Sequence, residues 1–161
     1  MKSLNFEFLI IHDPKLRQLA GSAEANFADD PNTTLIKMRQ FGELLASHVA
    51  AKAKMVSVVG GTQLDLLNAL LRQGVVEKKV ADVFHLIRKK GNTATHEFTG
   101  SRTDALRALQ FGFALGVWFH RRWGEYSFSA PQFVPPRARG EIEAELQSEL
   151  ADLQQKYMDA L

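Results

Sequence analysis

Between Pro14 and Trp123, apolar residues return at intervals of three and four, and no comparable stretch alternates. That spacing is the period of a helix face, so the chain is predicted to be all-α. Local punctuation divides it. Asp13 ahead of Pro14 combines an N-cap with proline in the first turn, and Leu16, Leu19, Ala20, Ala23 and Phe27 make one stripe over 14–28. Asp30-Pro31 repeats the signal ahead of Leu35, Met38, Gly42, Leu45 and Val49. Gly42 inside that stripe costs about 1 kcal/mol relative to Ala, which a close helix crossing would justify. Ser57 to Gly61 interrupts the pattern. Thr62 then caps a short helix carrying Leu64, Leu67, Leu70 and Leu71, and Gly74 ends it.

A fourth helix over 77–89 turns Val80, Val83, Phe84 and Ile87 inward. Gly91 is expected to terminate it, leaving Lys89 and Lys90 in the last turn, where the helix dipole favours cations. The loop Thr99 to Arg102 leads to a fifth helix, from Thr103 or Asp104 to about Trp123. It is apolar around much of its circumference through Leu106, Leu109, Phe113, Val117 and Phe119, as a central bundle helix would be. Gly112 and Gly116 mark a face where a neighbouring backbone is expected to come close. Beyond it, Pro131, Pro135 and Pro136 forbid helix. The segment reads as an extended strap packed down by Tyr126, Phe128, Phe133 and Val134. Over 140–161, Leu146, Leu150, Leu153, Tyr157 and Ala160 follow the heptad spacing of a coiled-coil seam. Two heptads are marginal alone, so this helix must pack on something or continue. The expected organisation is an up-and-down bundle over 1–123, an extended Pro-rich strap over 124–139, and a C-terminal helix over 140–161 leading toward further domains.

With 161 residues the chain is of one-domain size, and without cysteine it has neither disulfides nor thiolate-bound zinc. No apolar run approaches the length of a membrane span, and MKSLNFEFLIIHD is a poor signal peptide, so a cytoplasmic, membrane-free location is expected. Residues 140–161 hold six carboxylates and one lysine, net −5, which leaves +7 for the rest of a chain of formal charge +2. A basic body with an acidic tail is compatible with a polyanionic partner and equally with an ordinary solvated surface.

Catalytic signatures are missing. There is no Walker or dinucleotide-binding loop, no nucleophile elbow, and no metal-binding spacing among His12, His48, His85, His96 and His120. Asp65 with Glu77-Lys78-Lys79 mimics a nuclease constellation but falls in helical patterns, whereas that chemistry needs converging groups around a metal ion. The strongest local cluster is Arg88, Lys89, Lys90, Asn92 and His96 around Gly91. It can grip phosphate oxygens, with His96 as an acid or base, or it can be a helix end with a structural Asn-Gly loop. Lys37 and Arg39 form a second candidate, for a partner contact or an ion pair with Glu43. Trp118, Phe119, Trp123, Tyr126 and Phe128 read as core, with base stacking as the alternative.

Several strings together resemble one family: Asn5-Phe6-Glu7-Phe8-Leu9, Ala23-Glu24-Ala25-Asn26-Phe27, the run from Asp29 to Gly42, Val83 to Arg88, Gly91-Asn92 with Ala94, His96 and Glu97, and Trp118-Phe119. They are similar to the N-terminal domain of the restriction (R) subunit of type I restriction–modification enzymes, from about residue 5 to Pro136. The resemblance implies a larger ATP-dependent DNA translocase and endonuclease, with nuclease and motor domains downstream. ATP and Mg²⁺ would serve those domains, and no cofactor is implied for these residues. It also implies the methylation and specificity subunits, the rest of the same subunit, and DNA as partners. More distantly the chain resembles the HEPN helical superfamily, many of whose members are RNases. Asn92 and His96 match their motif, whereas Gly91 stands where those enzymes carry arginine. Three functions follow as expectations: a non-catalytic docking domain, a HEPN-like RNase using Asn92 and His96, and an oligomerisation module pairing through 146–160.

Overall fold

Capping side chains decide where each helix begins. In a computed structural model of the chain, which describes residues 2–55, 61–136 and 143–157, a 3-10 helix over Glu7–Ile11 precedes six α-helices. These are α1 (Pro14–Asn26), α2 (Pro31–Lys52), α3 (Gln63–Arg72), α4 (Lys78–Glu97), α5 (Arg102–Trp123) and α6 (Glu143–Tyr157). Asp13, Asp30, Thr62 and Ser101 each accept a backbone N–H of the following turn, satisfying donors that have no partner inside the helix. At α3 the cap is reciprocal, for the Thr62 N–H donates in turn to the Asp65 carboxylate. Asp65, the carboxylate of the nuclease-like pattern, is thus engaged in capping its own helix.

The chain is all-α, as the apolar spacing requires. Helix α2 lies at the centre and packs on α1, α4 and α5. It runs antiparallel to α1, since Thr34 Oγ1 donates to the Ala23 carbonyl at one end and His48 meets Asp13 at the other. It is antiparallel to α4 as well: Asn32 reaches the Ala94 carbonyl, Arg39 covers Gly91, and Gly42 faces Ile87. One core runs through the bundle, with Phe6, Phe41 and Phe113 packed edge to face at 5.3 and 6.1 Å. No neighbouring backbone closes on Gly112 or Gly116: Gly112 admits the end of the Met38 side chain and Gly116 admits Leu9 and Phe8 of the 3-10 helix, so the two small positions receive side chains.

Gly91 does not end the fourth helix. Helix α4 continues six residues further, to Glu97, and Gly91 is buried within it. A Cβ at 91 would stand 2.3 Å from Arg39 Cβ, so the glycine exists to let α2 and α4 cross closely. Lys89 and Lys90 are therefore mid-helix residues, not dipole-neutralising cations of a last turn.

The strap is held differently from expectation. Phe133 is buried and Phe128 half-buried, but Tyr126 is 91% exposed and Val134 50% exposed, so neither of these two packs it down. Hydrogen bonds do part of that work: Asn5 Nδ2 donates to the Val134 carbonyl and the Val134 N–H donates to Asn5 Oδ1, both at 2.7 Å. Within the C-terminal seam, Leu153 joins the core and Leu150 packs against it. The side chains of Leu146, Tyr157 and Ala160 lie outside the described residues, as does most of the interruption at 57–61.

Candidate nucleic-acid and partner interface

Because α4 runs uninterrupted through Gly91, its polar residues align. At about 100° per residue, His85, Lys89, Asn92 and His96 fall within about 60° of one another, with Arg88 beside them. Lys89, Asn92 and His96 are exposed; His85 and Arg88 are half-buried. Toward α3 this face borders a groove of about 550 Å³ lined by Asn68, Asp82, His85, Arg88 and Lys89 among others. The Arg88 Nε is buried and has no hydrogen-bond partner among the described residues. Burial lowers the proton affinity of His85, and Arg88, Lys89 and Lys78 lower it further, only partly offset by Asp82. Burial first, and the neighbouring cations second, thus favour the neutral imidazole.

The remaining candidates separate. Lys90 leaves the face and pairs with Asp104 of α5 at 3.4 Å. Arg39 lies over Gly91 on the α4 side of α2, with its Nη1 2.7 Å from Glu43 Oε1 and its Nε buried without a partner. Lys37 is about 60° from Thr34 and about 20° from His48 around α2, and both of those residues contact α1. Lys37 therefore stands on the opposite flank of α2 from Arg39, and no single surface unites the two with the α4 cluster. The aromatic group is largely core: Phe119 is fully buried and Trp118 and Trp123 pack against the core, with Arg122 4.6 Å above the Trp123 ring.

Two features have no signature in the sequence pattern. Helix α4 closes on Phe98, whose backbone is left-handed (φ 54°, ψ 31°) and whose N–H reaches the Ala94 carbonyl. The ring is 76% exposed. At the far end of the bundle, His12 Nε2 and His120 Nδ1 lie 2.9 Å apart, and His48 is 2.9 Å from Asp13 Oδ2. Burial is the main reason His12 holds its proton less tightly than free imidazole, with His120, Lys52 and His48 adding to the effect. Alternating helix direction gathers these residues, because the start of α1 and the ends of α2 and α5 share one end of the bundle.

Chemically, the α4 face supplies cations and an amide suited to phosphate oxygens. His96 makes no hydrogen bond among the described residues, so nothing fixes its tautomer as a general base requires. No group of three or more His, Cys, Asp or Glu among the described residues could hold a metal ion, and no described helix is long and apolar enough to cross a membrane.

Residues 22–115 match the family described as Domain of unknown function (DUF4145). Over 142 residues the chain is 42% identical to the type I restriction enzyme EcoKI endonuclease subunit of Escherichia coli (strain K12). That similarity covers 88% of this chain but 12% of the relative, so the chain spans a small part of that protein's length. No solved structure matches it.

Proposed function

Because the chain belongs to the DUF4145 family and is similar over most of its length to a type I restriction endonuclease subunit, we propose that it is the N-terminal docking domain of such a subunit. The carrying observation is the 42% identity that spans nearly this whole bundle and little of the much longer relative. In this reading the bundle breaks no bond itself. It positions the nuclease and motor regions of the same subunit, in the cytoplasm, against the methylation and specificity subunits and the DNA they hold. In this reading ATP and Mg²⁺ act in those other regions, and no step of this domain runs through them.

The face of α4 is the contact surface in this proposal. Lys89, Asn92 and His96 project from one helix toward solvent, with the half-buried His85 and Arg88 beside them. Such a surface holds a phosphate backbone without reading sequence. Fluorescence anisotropy with duplex DNA tests it: binding at about 50 mM salt that weakens steeply by about 200 mM is expected, because phosphate contacts release counterions. No binding at the lower salt removes the DNA contact. Docking to protein is tested by capture of a purified methylation–specificity complex on the immobilised chain. Failure of both leaves the docking role without support.

A further inference from the structure

Along the second half of α5 the bundle forms a groove of about 840 Å³. Val80 of α4, Val117 of α5 and Ala130 of the strap all line it, so three elements make its walls. Two consecutive arginines tie those elements together. Arg121 Nε donates to the Phe128 carbonyl of the strap at 2.9 Å, and Arg122 Nη1 donates to the Val75 carbonyl just ahead of α4. A groove pinned in this way is formed before a ligand arrives, which spares the cost of ordering it on binding.

Charge narrows the occupant. Among the described residues no Asp or Glu lines the groove, whereas Arg121 and Arg122 both do and both are exposed. Each commits one nitrogen to a carbonyl, and its other N–H groups are uncommitted among the described residues. Glu125, the nearest carboxylate in sequence, lies 3.6 Å from His120 Nε2 instead. Tyr126 lines the same groove although its side chain adds nothing to the bundle, being 91% exposed, and the half-buried Trp118 lines it as well. Trp, Tyr and Arg around an apolar depression are the residues that dominate protein interfaces.

We propose that this groove seats a segment of a partner protein in which a large apolar side chain stands next to carboxylates. The apolar side chain enters between Val80, Val117 and Ala130, and the carboxylates meet the uncommitted N–H groups of Arg121 and Arg122. A phosphate backbone fits the groove less well. Two adjacent guanidiniums make one anionic seat and no track, and the apolar walls have no use for phosphates. The groove is also distinct from the exposed face of α4, since Val80 is at least about 120° around that helix from Lys89, Asn92 and His96.

The inference rests on the docking role proposed above, and its test separates the two. Labelled peptides of about 12 residues are titrated with the native chain: one with a central Phe flanked by Glu, one with Phe flanked by Lys, and one with Ala flanked by Glu. The Glu–Phe peptide is expected to bind at least about tenfold more tightly than either control. Tyr126→Ala removes an exposed side chain, so its Tm is unchanged, and it weakens that peptide about tenfold. Arg121→Glu reverses the preference between Glu and Lys, and Lys89→Ala changes nothing. Should Arg121→Glu loosen the strap, Tyr126→Ala decides alone.

Equal binding of the Glu and Lys peptides, or unaltered binding by Tyr126→Ala, overturns the proposal. Displacement of the peptide by a single-stranded oligonucleotide makes the groove a phosphate site and overturns it too. If the peptides fail while the methylation–specificity complex is still captured, docking stands and runs through another surface. If the Glu–Phe peptide binds as expected while the complex is not captured, the groove stands and docking to those subunits falls.

Discussion

Asn5 and Glu24, nineteen residues apart, are joined twice: the Asn5 backbone N–H and its side-chain amide both donate to Glu24 Oε2, at 3.0 and 2.8 Å. Glu24 Oε1 accepts from the Leu4 N–H at 3.0 Å and from the Ser3 hydroxyl. A buried carboxylate thus organises the whole N-terminal segment. Glu24→Ala would orphan these donors and is expected to cost about 3 kcal/mol or more. Glu24→Gln, which keeps one acceptor, costs less. Urea denaturation checks both, and a loss under about 1 kcal/mol for Glu24→Ala would contradict the arrangement.

Gly91→Ala tests the close crossing of α2 and α4. On an open helix that change stabilises by about 1 kcal/mol. Here the added methyl meets Arg39 Cβ at 2.3 Å, so destabilisation of about 1–3 kcal/mol is expected. Gly112→Ala meets the mobile end of Met38 and costs less. Gly74→Ala has open space around it and bears only the strain of φ 69°, about 1 kcal/mol. Thermal melts of the three variants should rank with Gly91→Ala lowest.

Stability should fall with acid at the histidine end of the bundle. The His12–His120 hydrogen bond needs one ring to donate and the other to accept, so both rings cannot be charged. Folded His12 holds its proton less tightly than the free value of 6.5, so the unfolded chain binds more protons once the pH falls below 6.5. Its contribution is present above 6.5 and is lost as the pH drops from there toward the lowered folded value. Asp13, held down mainly by the Lys15 N–H and also by His48, adds stability above 3.8 that is lost as pH falls through its lower folded value. Melting curves across this range should show Tm declining below 6.5, and His12→Gln should flatten the upper part of that decline.

Structured RNA incubated with the chain should remain intact. His96 has no orienting partner among the described residues, and the position five before it is the buried Gly91, which brings no side chain to a reaction. Gel analysis of native and His96→Ala protein checks this. Cleavage that disappears in the variant would make the domain an enzyme.

Most of the helical architecture was legible because burial imposes a period on sequence. The stripes of α1, α2 and α5, and the caps Asp13, Asp30 and Thr62, depend on neighbours within a turn or two. Gly91 was not legible in this way. A glycine after an apolar stripe looks the same whether it ends a helix or admits another one, and only Arg39, fifty-two positions earlier, decides. Glu24 reads as a surface charge until the N-terminal segment folds over it. His12, His48 and His120 look scattered because helix direction brings them together. The α4 cluster was visible as a group of residues, but as a loop. Its character as a continuous face follows from the helix passing through Gly91.

The reciprocal hydrogen bonds between Asn5 and Val134 join positions 129 apart in sequence without a covalent link. Positions 5 and 134 are thereby fixed side by side. Tension applied between the chain before one and the chain after the other crosses a single small patch instead of being drawn through the bundle. A pull on the segments flanking residues 5 and 134 is therefore met first at that patch, before it reaches the helices between them.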